Sequence, residues 1–291
     1  MRKRKNPPPI VFILLFFLLV AAWQYSKPPS PGNVSGQGNI GLNTPVSETF
    51  PLQESVPPGT EITIDGSTSM VTINKKLRLG FEGRYPNTKV VTLANGSEIG
   101  IEKLINGEID IAAYSCDLTD EQKRQGLRAI KMGDDAIAIV VGRNNPFKGG
   151  LTDTQVADIF KGKITRWSQV GGSSDAIRVV NRPDWSCTHK SFKNLVLSDS
   201  DFGTGANFIT LNKDETTGLI RELKNDGIGY ATYEHANSES TARIVTVNNT
   251  NPGASQYPYQ RRLFYVYKNP PNDAVKAFLG YATSPQIKQS L

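Results

Sequence analysis

Ile62-Thr63-Ile64-Asp65-Gly66-Ser67-Thr68-Ser69-Met70 passes within one short stretch from a β-branched run, through a hydroxyl-rich turn, into helix-like apolar spacing. The run reads as a strand and the Gly and Ser/Thr cluster as the turn that ends it. A helix opening at such a turn presents unpaired backbone N–H groups and the positive end of its macrodipole. Small hydroxyls there add donors without blocking approach, so the turn is a potential anion site. The same order returns at Val90-Val91-Thr92-Leu93-Ala94-Asn95-Gly96-Ser97, and again at Ile177-Arg178-Val179-Val180-Asn181-Arg182 leading to Ser186-Cys187-Thr188. One such turn is only a helix cap. Three in one chain point to a shared oxyanion site.

Working outward, short β-branched runs alternate with helical stretches from Glu61 onward. Strands are expected over 61–64, 89–93, 109–113 and 135–142, with helices over 70–81 and 97–105; Asn106-Gly107 stops the second helix. A second module follows, with helices over 152–160 and 187–197 and strands over 177–181 and from Gly227. Strands at 243–247 and 263–268 and a helix over 273–281 close the chain. This pattern argues for α/β layers with largely parallel strands in two lobes, and for a ligand cleft at the strand ends where the hydroxyl loops collect. The expected division is lobe 1 over 59–141, lobe 2 over 142–228 and a return to lobe 1 over 229–291.

The formal charge of +6 overstates how basic the folded part is, because Arg2, Lys3, Arg4 and Lys5 precede the apolar run Pro9 to Trp23. Basic residues followed by a short apolar core read as a signal peptide or an uncleaved membrane anchor over 1–26, which places the rest of the chain in the periplasm or another extracytoplasmic space. Residues 27–58, rich in Pro, Ser and Gly, read as a tether. No Lys/Arg cluster with interleaved aromatics follows, so nucleic-acid binding is not expected. Two cysteines and two histidines lack metal-ligand spacing, so neither a metal nor another cofactor is expected.

Gly66-Ser67-Thr68-Ser69, Asn95 to Gly100, Ile109 to Ala113, Ile159 to Gly172, Arg182 through Ser186-Cys187-Thr188, and Gly227-Ile228-Gly229-Tyr230 occur in an order that resembles the periplasmic phosphate-binding proteins of ABC transporters. The resemblance spans roughly residues 60 to 285. It implies a two-lobed, hinged α/β fold of the periplasmic-binding-protein (Venus-flytrap) type that closes on inorganic phosphate and delivers it to an ABC permease. It also implies that Thr68 and Ser69 form the first hydroxyl loop, Ser97 the second, and Arg182, Ser186 and Thr188 the Arg-x3-Ser-Gly-Thr motif. Two positions depart from the family pattern. Cys187 stands where Gly is common, and Ser115-Cys116 where Ser-Asp or Ser-Arg is common. The expected ligand set is therefore Thr68, Ser69, Ser97, Ser115, Arg182, Ser186, Cys187 and Thr188, with Arg182 as the single cationic clamp.

Both cysteines sit at the departures, one from each lobe, which raises a disulfide between Cys116 and Cys187 across the cleft. Two other functions stay open. A membrane-tethered sensor or scaffold would keep the fold with an altered or locked cleft. A serine hydrolase or phosphatase is suggested by Ser186 near His189, but no nucleophile-elbow motif occurs and a supporting acid is unidentified.

Overall fold

The computed structural model describes residues 50–289. Its spine is one strand, β4 (Leu127–Gly142), whose two halves belong to two different sheets. The elements before it are β1 (Glu61–Gly66), α1 (Val71–Arg84), β2 (Lys89–Thr92), α2 (Ser97–Asn106), β3 (Ile111–Tyr114) and α3 (Asp120–Arg124). After it come α4 (Asp153–Phe160), β5 (Arg178–Asn181), α5 (Cys187–Leu197), β6 (Phe208–Thr210), α6 (Thr216–Leu223), β7 (Gly227–Thr232), α7 (Tyr233–Ser238), β8 (Ala242–Val245), β9 (Gln260–Lys268), α8 (Asp273–Ala282) and α9 (Pro285–Lys288).

In the first lobe β1 lies between β2 and β3, parallel to both, and β9 runs antiparallel between β3 and the first half of β4. In the second lobe β5 is parallel to β6 and β7, while β7 and β8 flank the second half of β4 in antiparallel fashion. The expectation of largely parallel strands is corrected here. The long strands that connect the lobes pair antiparallel, because the chain crosses outward on β4 and returns on β9.

The expected domain limits shift for the same reason. Strand β7 pairs with β4 and β5, so residues 229–259 stay with the second lobe, and the return begins with β9 at Gln260. The tether shortens as well. Phe50 meets the Tyr267 ring edge-on at 5.5 Å, Val56 is buried, and Tyr85 donates a 2.6 Å hydrogen bond to the Gln53 carbonyl. Residues 50–58 therefore belong to the first lobe, anchored by two apolar side chains in an otherwise polar stretch. The apolar run at 1–26 lies outside the described residues, among which no helix is long and apolar enough to cross a membrane.

Each lobe has its own core. Ile62, Ile64, Leu77, Phe81, Tyr265 and Phe278 fill the first. The second is built around Trp167, Phe160, Phe192 and Tyr230, with the last two rings stacked at 4.0 Å. Gly66 lets the end of β1 lie close against β3, and Gly100 lets α2 approach that same end. The Gly66 φ of +137° suits glycine, and a Cβ there would stand 2.1 Å from the Ala113 carbonyl oxygen. At Gly100 of α2 a Cβ would meet the Gly66 Cα at 2.7 Å.

Candidate functional site

The loop after β1 is set by Asp65, which is fully buried and accepts hydrogen bonds from Gly66 N at 2.7 Å, Asn95 N at 3.0 Å, Asn95 Nδ2 at 2.8 Å and Lys103 Nζ at 2.7 Å. Burial works to raise this carboxyl, but the bonds from Lys103, Asn95 and Gly66 together hold it below the ordinary carboxylate range. One carboxylate thus fixes two of the three hydroxyl loops. Ser67 caps the 3-10 turn Thr68–Met70, and its hydroxyl donates to Ser115 Oγ at 3.0 Å; Ser97 Oγ lies 3.3 Å from the same Ser115 oxygen.

The third loop comes from the second lobe. Ser186 is the N-cap of α5, accepting from His189 N at 3.3 Å while its own hydroxyl donates to Asp214 Oδ1 at 2.7 Å. Arg182, 1% exposed, donates through Nη1 to the same Asp214 oxygen at 2.5 Å and through Nη2 to Thr216 Oγ1 at 2.7 Å; its Nε is buried and has no partner. Asp214 also packs toward Gly96, beside Trp185, so the second and third loops face one another.

A second guanidinium, outside the expected ligand set, stands beside these loops. Arg261 of β9 donates to Asp135 Oδ2 from Nε at 2.9 Å and from Nη2 at 2.7 Å. It also reaches Ser69 Oγ at 2.6 Å in the first lobe and Thr188 Oγ1 at 3.0 Å in the second. Thr232 donates to the other oxygen of Asp135. Sequence reading missed Arg261, Asp135 and Asp214. The available signal was charge placed directly against buried apolar strands, Asp135 before Ala136-Ile137 and Arg261 before Leu263-Phe264.

Of the expected residues, Ser97 and Ser115 meet on the first-lobe side, Arg182 and Ser186 meet through Asp214, and Ser69 and Thr188 meet through Arg261. Thr68 lines a cavity with Ser69, Thr232 and His235. Cys116 and Cys187 are joined in a disulfide with a Cα separation of 5.4 Å, linking the loop after β3 to the first residue of α5. Glu98 lies near both sulfurs, but the disulfide consumes them as ligand atoms. The Ser186 hydroxyl donates to Asp214, and His189 Nδ1 is engaged elsewhere, 3.1 Å from the Arg182 carbonyl and 3.2 Å from Asn181 Oδ1; burial lowers the His189 pKa. Chemically, this is a set of hydroxyls, helix N-termini and two guanidiniums, each guanidinium matched by a carboxylate.

The model of the PBP superfamily domain matches residues 51–286. A phosphate-binding protein PstS from Borreliella burgdorferi is 30% identical over 240 residues, covering 77% of this chain and 84% of that protein. The chain belongs to the PBP superfamily, among the PstS-type proteins. Within this family, PstS of Bacillus subtilis is 26% identical, covering 79% of this chain and 77% of its own. A phosphate ABC transporter substrate-binding protein from Clostridium perfringens, solved with phosphate bound, superposes with a TM-score of 0.66 at 27% identity, over 78% of this chain and 95% of its own. An ABC-type phosphate transport receptor from Vibrio cholerae gives 0.60 at 27% identity, over 78% and 96%. The family's two-lobed α/β fold is that of the present chain.

Proposed function

We propose that this chain is the extracytoplasmic substrate-binding component of a phosphate ABC transporter, capturing inorganic phosphate between its lobes and passing it to the permease. What supports this reading is convergence: Ser67 and Ser97 meet Ser115 in the first lobe, Ser186 shares Asp214 with Arg182 in the second, and Arg261 reaches Ser69 and Thr188 from between them. A tetrahedral oxyanion needs many donors and partial charge compensation, and planar guanidiniums supply paired N–H groups that an ammonium cannot. Asp214 takes the place of the carboxylate that a Ser-Asp pair, one of the two family patterns, would put where Cys116 stands. A monohydrogen phosphate can donate its proton to such an acceptor, whereas fully ionised sulfate would leave lone pairs facing each other. No nucleophile–base pair is needed for this role, and the Ser186 hydroxyl bonding to Asp214 while His189 Nδ1 bonds to Asn181 and Arg182 supports binding over hydrolysis. Residues 1–26 would export the chain or hold it at the membrane, with the basic end inside. Calorimetric titration with phosphate and sulfate tests the reading.

The Cys116–Cys187 bond favours a second reading, in which the fold serves as a tethered sensor whose cleft is held by a covalent cross-link. Phosphate exchange too slow for uptake in the oxidised protein would support it.

A further inference from the structure

We propose that the Cys116–Cys187 disulfide is a thiol-operated latch: a dithiol reductant attacks Cys116 Sγ, expels Cys187 as the leaving thiolate, and thereby frees the lobes to exchange their anion. Only the last clause rests on the phosphate-binding reading. The bond joins residues 71 apart in sequence, one from each lobe, and both flank the hydroxyl loops. An intact disulfide keeps its Cα atoms within about 7 Å, so the Ser115 and Ser186 loops cannot separate while it holds. The neighbouring cross-lobe contact, Lys190 Nζ to Glu98 Oε1 at 2.6 Å, is half exposed on the lysine side and contributes little by comparison.

The two sulfurs are not equivalent. Cys187 is 1% exposed, inside the apolar cluster that includes Tyr114, Leu127 and Phe264. Cys116 is half-buried and lines a cavity of about 270 Å³ with Asp117, Ser191, Asn194, Leu195 and Arg261. An external thiolate therefore has a route to Cys116 and none to Cys187. The leaving group is also favoured at Cys187. It is the first residue of the eleven-residue helix α5, where N–H groups without intrahelical partners and the helix dipole stabilise a thiolate. Glu98, within 4.8 Å of the sulfurs, opposes this, but its charge is paired with Lys190.

The exchange balances in two steps. The reductant thiolate forms a bond to Cys116 Sγ while the protein S–S bond breaks and its electron pair passes to Cys187 Sγ. The reductant's second thiol, deprotonated, then attacks its own bonded sulfur, releasing Cys116, which takes up a proton. The protein disulfide gains two electrons and the dithiol becomes a disulfide.

The test begins with the oxidised full-length chain, a limiting monothiol, acid quenching, alkylation and peptide mapping. The expected mixed disulfide is on Cys116, and one found on Cys187 overturns the proposal. Small-angle scattering of the ligand-free protein with and without dithiothreitol should show a larger radius of gyration after reduction, and an unchanged radius counts against a latch. With labelled phosphate, reduction should speed dissociation about fivefold or more, the low end of typical site coupling. The Cys116→Ser/Cys187→Ser double variant should then be insensitive to dithiothreitol, and a wild-type rate unmoved by reduction contradicts the proposal. If phosphate does not bind in either state, the phosphate reading fails, while the adduct position and the radius still decide the latch.

Discussion

Arg261 stands opposite Asp135 in the register of the two strands that cross between the lobes, and its guanidinium closes on that carboxylate at 2.7 and 2.9 Å. The remaining N–H groups reach Ser69 in one lobe and Thr188 in the other. The pair is thus an anchored cation at the crossing point, with hydroxyl partners in both lobes.

Both members are 7% exposed, so removing either leaves a buried charge without compensation. Arg261→Met should cost about 3–5 kcal/mol in unfolding free energy, and Asp135→Asn together with Arg261→Met should recover part of that loss. Urea unfolding of the double-mutant cycle checks this; fully additive losses would show that the two groups do not act as a pair.

Arg182→Lys keeps the charge but cannot reproduce the Nη1 contact to Asp214 and the Nη2 contact to Thr216 together. Phosphate affinity should fall about tenfold or more. An unchanged Kd would remove Arg182 from the site.

Asp214→Asn removes the proposed acceptor for the phosphate proton. The ratio of phosphate to sulfate affinity should shrink, whereas a general weakening would lower both equally. Competition titration separates the two outcomes.

Stability should decline toward acid in two stages. Burial lowers the His189 imidazole below its ordinary 6.5, so the unfolded chain takes the proton first and the fold loses stability as pH falls below that value. The Asp65 carboxyl, held below 3.8, contributes fully above that pH and loses its contribution as pH falls through its folded value. Denaturant unfolding between pH 7.5 and 5.5 should show the first slope in the wild type and a flatter one in His189→Gln. A wild-type stability that rises over this interval would contradict the assignment.

Local signals carried much of the architecture. Helix α5 and its Ser186 cap, and helix α2 with its Gly107 stop, were legible because caps and apolar periodicity lie within a few residues of each other. The first half of β4 was not. Leu127 to Asp134 alternates buried and exposed positions irregularly and contains the register shift between Lys131 and Gly133, so no continuous apolar run marks it. Strand β6 is three residues long and carries too little pattern to be seen. The hydroxyl loops could be read because each is contiguous, whereas Arg261 and Asp135 are 126 residues apart and become a pair only through the register of β4 and β9. The cysteine pair was readable for a different reason. With two cysteines in the chain, one placed in each expected lobe, one pairing existed to consider.

Calorimetric titration of the protein, stripped of carried-over ligand, with phosphate and then sulfate in oxidising and in reducing buffer tests the central claim most directly. Saturable 1:1 phosphate binding, well above any sulfate binding, in at least the reduced state is the predicted result. Heats indistinguishable from dilution for phosphate in both buffers would contradict a phosphate-binding cleft.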